Sequence, residues 1–285
     1  MVCLSIKIVT DSTSYLPEDM IRRYDISVVS LNVTFEKESF REVDMDKDTF
    51  YKKMAMSKNI PTSSQPNINE IIGTFKRCID NGDAVVGIFL SSDMSGTYSS
   101  AHVVRRAILE KCPSAEIEIV DSRSNCMQMG YAVLEAARAA DDGKSMEEVL
   151  EAAQRVINKS RFLFVPDTLE YLRKGGRIGG AAALIGDIFE IRPILTVADG
   201  KTSVFAKVRT KKKAVEKIVS TLMEDIKSNE LGEVIVHHIN SNIEGMNLAK
   251  RIENALGTHV RVTSIGPVIG LHVGPGTIGI VYYMK

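Results

Sequence analysis

Short apolar runs alternate with longer amphipathic ones through the first half of the chain. Ser5–Thr10 (SIKIVT), Ile26–Phe35 (ISVVSLNVTF), Ala84–Leu90 (AVVGIFL), Glu116–Val120 (EIEIV) and Arg161–Val165 (RFLFV) are short, apolar and flanked by polar residues. That pattern predicts strands. Between them, Asn67–Asn81 places Ile68, Ile71, Ile72, Phe75 and Ile79 on one helical face. Tyr98–Cys112, Ser124–Ala140 and Ser145–Ser160 repeat the helical period. Strands and helices alternating in this way predict an α/β architecture, a mostly parallel sheet flanked by helices.

The second half has a different rhythm. Ile191–Val197, Lys201–Val208, Glu233–His238, Val260–Ile265 and Thr277–Tyr283 have strand character, and Lys211–Lys227 and Asn242–Leu256 have long helical periods. The order predicts an α+β unit, with a mixed sheet covered by two long helices. A chain of 285 residues suits roughly two domains at about 150 residues each. The expected division is residues 1–160 and 161–285, near the Gly- and Arg-rich stretch Asp167–Gly186.

Charge and cysteine usage narrow the classes. Lys plus Arg and Asp plus Glu both number 36, giving zero formal net charge. A general nucleic-acid binder would be basic. No apolar run reaches the length of a membrane-spanning helix. Lys7, Asp11, Glu18 and Asp19 interrupt residues 1–20, so no secretory leader is expected and a cytoplasmic protein is. Cys3, Cys78, Cys112 and Cys126 form no C-x-x-C pair and lie apart from histidine in the sequence. Free thiols in a reducing compartment, and no metal site, are expected.

Two phosphate-binding motifs fail on inspection. Gly143-Lys144-Ser145 and Gly200-Lys201-Thr202 end like a P-loop, but the earlier glycine is replaced by Arg138 and Leu195. Both glycines are needed to turn backbone amides around phosphate. Gly175-Gly176-Arg177-Ile178-Gly179-Gly180 lacks the dinucleotide-binding spacing.

Polar strand ends carry more. Thr10-Asp11-Ser12-Thr13, Ser91-Ser92-Asp93 and Asp121-Ser122-Arg123 each follow a strand. In a parallel sheet these ends share one edge, where α/β proteins bind ligands. The same residues also serve as helix caps. Ser91 to Ala101 (SSDMSGTYSSA) is the sharpest case, with Ser95 as the expected N-cap and Gly96 bare over the first turn. Its free amides and positive helix end suit a carboxylate or phosphate, with the Ser95 and Thr97 hydroxyls as further donors. Pro61-Thr62-Ser63-Ser64-Gln65-Pro66 is a second hydroxyl cluster, stiffened by two prolines. Gly266 to Thr277 crowds Gly and Pro around His272. It is expected as a shaped loop whose imidazole either plays a structural part, the commoner role of a lone histidine, or donates to a carboxylate and changes charge near neutral pH. His237 and His238 are adjacent on a strand, so they point to opposite faces and cannot share a metal.

Taken together, these segments resemble the DegV family, whose members include fatty-acid-binding subunits of bacterial fatty acid kinase. The resemblance rests on Ile8 to Ser12, Thr62 to Pro66, Leu90 to Ala101, Leu169 to Ile178, Arg192 to Leu195 and Gly266 to Gly279. It implies a long-chain fatty acid such as palmitate held between two domains, with no other cofactor. The tail would fill an apolar tunnel; Met94, Met127 and Met129 flank two of the polar strand ends, a position equally suited to shaping that tunnel and to core packing. The carboxylate would meet Ser63 and Ser95, with His272 and Arg173 nearby. The family pattern has Thr where this chain has Ser63, and a small residue where it has Asn67; the hydroxyl survives the first change. The resemblance further implies a carrier without catalysis, presenting the carboxylate to a separate kinase catalytic subunit that makes acyl-phosphate.

Residues 201–217 carry Lys201, Lys207, Arg209, Lys211, Lys212, Lys213 and Lys217 against Glu216 alone. Such a run often marks a solvated helix face. In the family context Arg209 and Lys212 are expected to dock an acidic kinase subunit. The competing reading is a stand-alone phosphotransferase or esterase using Ser95. It lacks both a P-loop and a serine elbow.

Overall fold

The computed structural model describes residues 5–36, 38–184 and 191–285. Cys3 and the end of the Asp167–Gly186 stretch lie outside the described residues. In chain order the first half comprises β1 (Ile6–Asp11), α1 (Glu18–Arg23), β2 (Ser27–Val29), β3 (Asn32–Phe35), β4 (Glu38–Arg41), α2 (Lys47–Met56) and β5 (Thr62–Ser64). It continues with α3 (Ile68–Asp80), β6 (Ala84–Phe89), α4 (Thr97–Leu109), β7 (Ile117–Asp121), α5 (Cys126–Asp141) and α6 (Met146–Lys159). Then come β8 (Ser160–Val165), α7 (Glu170–Lys174), β9 (Arg192–Ala198), β10 (Lys201–Val208) and α8 (Lys211–Asp225). The last elements are β11 (Leu231–His238), α9 (Asn242–Leu256), β12 (Arg261–Ser264), α10 (Pro267–Val273) and β13 (Ile278–Met284).

Three sheets result. A parallel sheet has the order β2-β1-β6-β7, and a mixed six-stranded sheet has the order β10-β9-β8-β13-β11-β12. Strand alternation sends side chains to two faces. On β1 and β6, Val9, Val85 and Phe89 pack under α3 and α4, whereas Ile8, Val86 and Ile88 face the interior. On β8 and β13, Leu163, Val165 and Ile280 pack under α8 and α9, whereas Phe162, Phe164 and Val281 face inward. Helix α5 contacts β1, β6, β8 and β13, so it lies between the two large sheets. Its residues Cys126 to Leu134 are all buried, as suits a helix that is covered on every side.

The small antiparallel sheet, β4-β3-β5, was not evident in the hydrophobic pattern. The single strand expected over Ile26–Phe35 breaks at Ser30 and Leu31, and its halves join different sheets. The buried Ser30 hydroxyl donates to Leu31 O at 2.8 Å, and Leu31 N donates to Ser12 Oγ at 3.1 Å. Both bonds satisfy the chain where the ladder stops. The hydroxyl cluster around Ser63 forms β5, with Ser63 opposite Val33. Gly266 to Thr277 is not a loop throughout, because Pro267–Val273 is helical. Pro267 at the first helical position has the φ a helix needs and lacks an N–H that would go unpaired there.

Candidate functional site

The polar strand ends are largely bonded to one another. Asp11 accepts from Leu90 N at 2.8 Å, and Asp121 accepts from the Ser92 hydroxyl at 2.6 Å. Burial pushes the Asp11 carboxyl up to about 6. These carboxylates knit the sheet edge rather than face a ligand. His237 and His238 do point to opposite faces. His237 accepts from Met127 N at 3.2 Å, while His238 accepts from Ser241 N at 3.3 Å.

The hydroxyl clusters and His272 meet beyond that edge. Ser63, on the inward side of β5, is 2.8 Å from His272 Nε2. Helix α10 is set by its N-terminus. Val268 N donates to Glu42 Oε1 at 2.8 Å, and Ile269 N donates to Tyr15 Oη at 3.1 Å. Gly175 lies against the imidazole, and a Cβ there would collide with His272 Nδ1. Glycine therefore permits the close approach. Helix α4 starts at Thr97 with Gly96 as its N-cap, so Ser95 stands one residue earlier than expected. The Ser95 hydroxyl still accepts from Thr97 N at 3.3 Å and pairs with Thr97 Oγ1 at 2.9 Å.

Ser63, Ser95, Arg177 and His272 border a cavity of about 140 Å³ whose apolar wall includes Leu31, Leu90, Leu172 and Val268. A second cavity of about 30 Å³ is lined by Phe162, Phe164, Val197, Ile239 and Ile265 on the interior face of the mixed sheet. Asn125, Thr202, Ile269 and Val273 border both. On the outer side of the Ser63–His272 pair, a groove of about 650 Å³ runs past Ile60, Tyr171 and Lys174 and shares Ser63, Arg177 and His272 with the inner cavity.

Arg173 is exposed and borders neither cavity. Arg177 stands at the mouth instead, donating from Nε to Met94 O at 3.2 Å and from Nη1 to Gly175 O at 2.7 Å. Of the three methionines, Met94 borders the cavity, while Met127 and Met129 are buried in the core. Arg209 and Lys212 are exposed and distant in role from this pocket. Gln65, Asn125, Arg177 and Thr202 were not singled out by sequence. Gln65 and Arg177 lay inside segments that carry the family resemblance, Thr202 inside a rejected phosphate motif, and Asn125 carried no signal.

Burial, and then the Arg177 charge, push His272 down to about 4. The imidazole is therefore neutral at pH 7, contrary to the expected switch near neutrality. Its Nδ1 is buried without a partner among the described residues. Ser63 and His272 have the spacing of a nucleophile and base, but among the described residues no carboxylate orients the ring, and so acidic an imidazolium is a poor base. The arrangement instead gathers hydroxyl donors, a guanidinium and a helix N-terminus, which together suit an anionic oxygen. Among the described residues no group of three or more His, Cys, Asp or Glu could hold a metal ion, and no helix is long and apolar enough to cross a membrane.

Sheet order and layering define a mixed α/β protein with a polar pocket that shares four lining residues with an apolar chamber on the interior face of the mixed sheet. The family model described as "Uncharacterised protein, DegV family" matches residues 5–285, and the chain belongs to the DegV family. It is 55% identical over 282 residues to a DegV domain-containing protein of Clostridium acetobutylicum, covering 99% of each chain. The structure of DegV from Bacillus subtilis, described as a fatty acid binding protein, matches with TM-score 0.88 and 32% identity over 99% of this chain and 100% of that one. A stearic-acid-binding protein of Eubacterium ventriosum matches with TM-score 0.90 and 26% identity over 98% of each chain.

Proposed function

We propose that this chain is a non-catalytic carrier of one long-chain fatty acid, such as palmitate, acting in the cytoplasm. Residues 1–160 supply Ser63 and Ser95 to the carboxylate, while Thr97, buried and bordering neither cavity, holds the Ser95 hydroxyl. Residues 161–285 supply His272, Arg177 and the apolar wall that closes over the tail. Arg173 lies outside this group. The observation that carries the reading is continuity. Ser63, Ser95, Arg177 and His272 border one end of a cavity that shares four residues with a chamber lined by Phe162, Phe164, Val197, Ile239 and Ile265. Burying a tail there contributes about 0.8 kcal/mol per CH₂. The fatty acids named for the relatives are of the same chemical kind.

The carrier then presents the carboxylate to a separate kinase catalytic subunit for acyl-phosphate formation. The outer groove beside Ser63 and His272 is the natural approach, and Arg209 and Lys212 offer positive charge to an acidic partner. A phosphotransferase or esterase centred on Ser95 is disfavoured, because its hydroxyl pairs with Thr97 rather than with a base. Mass spectrometry of an organic extract of the denatured protein tests the proposal, and an acyl chain is expected. A protein that carries none, and takes up none when offered, overturns it. Turnover of ATP or of an acyl ester by the isolated chain would favour the enzymatic reading.

A further inference from the structure

The neck between the two cavities is not apolar. Asn125 is 6% exposed and is the N-cap residue of α5, yet its side chain makes no capping bond. An N-cap asparagine ordinarily accepts from the amide two or three residues on. Here the Met127 amide donates to His237 Nε2 instead, at 3.2 Å. The Asn125 Nδ2 donates to Met94 Sδ at 3.1 Å, a weak acceptor, and its Oδ1 is buried with no partner among the described residues. Thr202, 5% exposed, borders the same two cavities. A plain hydrocarbon chain passing this point would leave the Asn125 oxygen unsatisfied, which is costly in a buried setting.

Resting on the fatty-acid reading above, we propose that Asn125 and Thr202 form a polar collar that recognises an oxygen substituent on the acyl chain near its carboxylate. The preferred ligand class is then the hydroxylated fatty acid, with the hydroxyl donating to Asn125 Oδ1. The position follows from the lining. Asn125 shares the first cavity with Ser63, Ser95 and His272, whereas the other hydroxyl of the second cavity, Thr277, already donates to Gly274 O at 2.9 Å.

Calorimetry on the full, delipidated chain tests this with hexadecanoic acid, the two enantiomers of 3-hydroxyhexadecanoic acid and 16-hydroxyhexadecanoic acid. One 3-hydroxy enantiomer is expected to bind about tenfold more tightly than hexadecanoic acid, the gain of one buried hydrogen bond. The 16-hydroxy acid is expected to bind more weakly than hexadecanoic acid, because its hydroxyl would be stranded in the apolar chamber. Asn125→Leu should bring the 3-hydroxy preference to about one, and Thr202→Val should reduce it; if the first variant does not fold, the second and the enantiomer ratio still decide. Equal affinities of the wild type for the 3-hydroxy and plain acids overturn the collar, as does a preference that survives both substitutions. Failure of every acid to bind is a different outcome. It removes the fatty-acid reading, and the collar with it.

Discussion

Two buried polar clusters flank the same seam, and they differ in saturation. In the first, Glu42 accepts from Ser12 Oγ at 2.5 Å, Tyr15 Oη at 2.8 Å and Val268 N at 2.8 Å. Asp11 beside it accepts from Thr13 N at 2.9 Å, Thr13 Oγ1 at 2.5 Å and Leu90 N at 2.8 Å. In the second, His272 Nδ1 and Asn125 Oδ1 are buried and have no partner among the described residues. Both clusters are hidden from water, so burial alone does not distinguish structure from function. The saturated cluster joins backbone segments; in the unsaturated one His272 Nδ1 packs against Gly175, and the Asn125 oxygen is the capacity proposed above for a ligand.

The most damaging way to break this comparison is Glu42→Ala. It orphans two hydroxyls and the Val268 amide, and a loss of about 3 kcal/mol or more is expected from urea unfolding. A loss under about 1 kcal/mol would mean that the cluster is not structural. Gly175→Ala comes next. Its Cβ meets His272 Nδ1, and an overpacking cost of about 1–3 kcal/mol is expected by the same measurement.

The paired change Ser63→Ala and Ser95→Ala should separate the clusters most cleanly. Stability should move by less than about 1 kcal/mol, while palmitate affinity falls at least about tenfold in a titration. Unchanged affinity would place the carboxylate elsewhere.

Acid opposes the two clusters. His272, at about 4 against an ordinary 6.5, binds fewer protons folded than unfolded, so its contribution is lost as pH falls from about 6.5 to 4. Asp11, at about 6 against 3.8, binds more protons folded, so its contribution is lost as pH rises across that window. Melting temperatures across that range should therefore decline less on acidification in His272→Gln than in wild type, and more in Asp11→Asn. The reverse order would overturn the assignment. The smallest effect is expected from Arg209→Glu with Lys212→Glu. The unfolding midpoint and palmitate affinity should hold, while binding to the proposed kinase subunit should weaken, most of all at low salt.

The large elements were legible because each has a periodic face. Ile68, Ile71, Ile72, Phe75 and Ile79 announce α3, and AVVGIF announces β6. Ser95 and Thr97 were legible because they follow a strand and open a helix. The break at Ser30 was not, since apolar residues continue on both sides and the bonds that end the ladder come from Ser12, distant in sequence. Arg173 and Arg177 could not be separated either. Helix α7 stops at Lys174, and the turn beyond it carries Arg177 to the pocket. Asn125 was hidden for a related reason. Its failure to cap α5 depends on His237, a residue on the far sheet.

Strand β13 has a consequence for how the chain acquires its shape. It follows every other strand of the mixed sheet in sequence, yet it lies between β8 and β11. The trio β10-β9-β8 and the pair β11-β12 meet only through it. Most of that sheet's pairing therefore spans long sequence separations, the high contact order that slows folding. Until β13 inserts, β8 and β11 each present a bare hydrogen-bonding edge, open to intermolecular pairing.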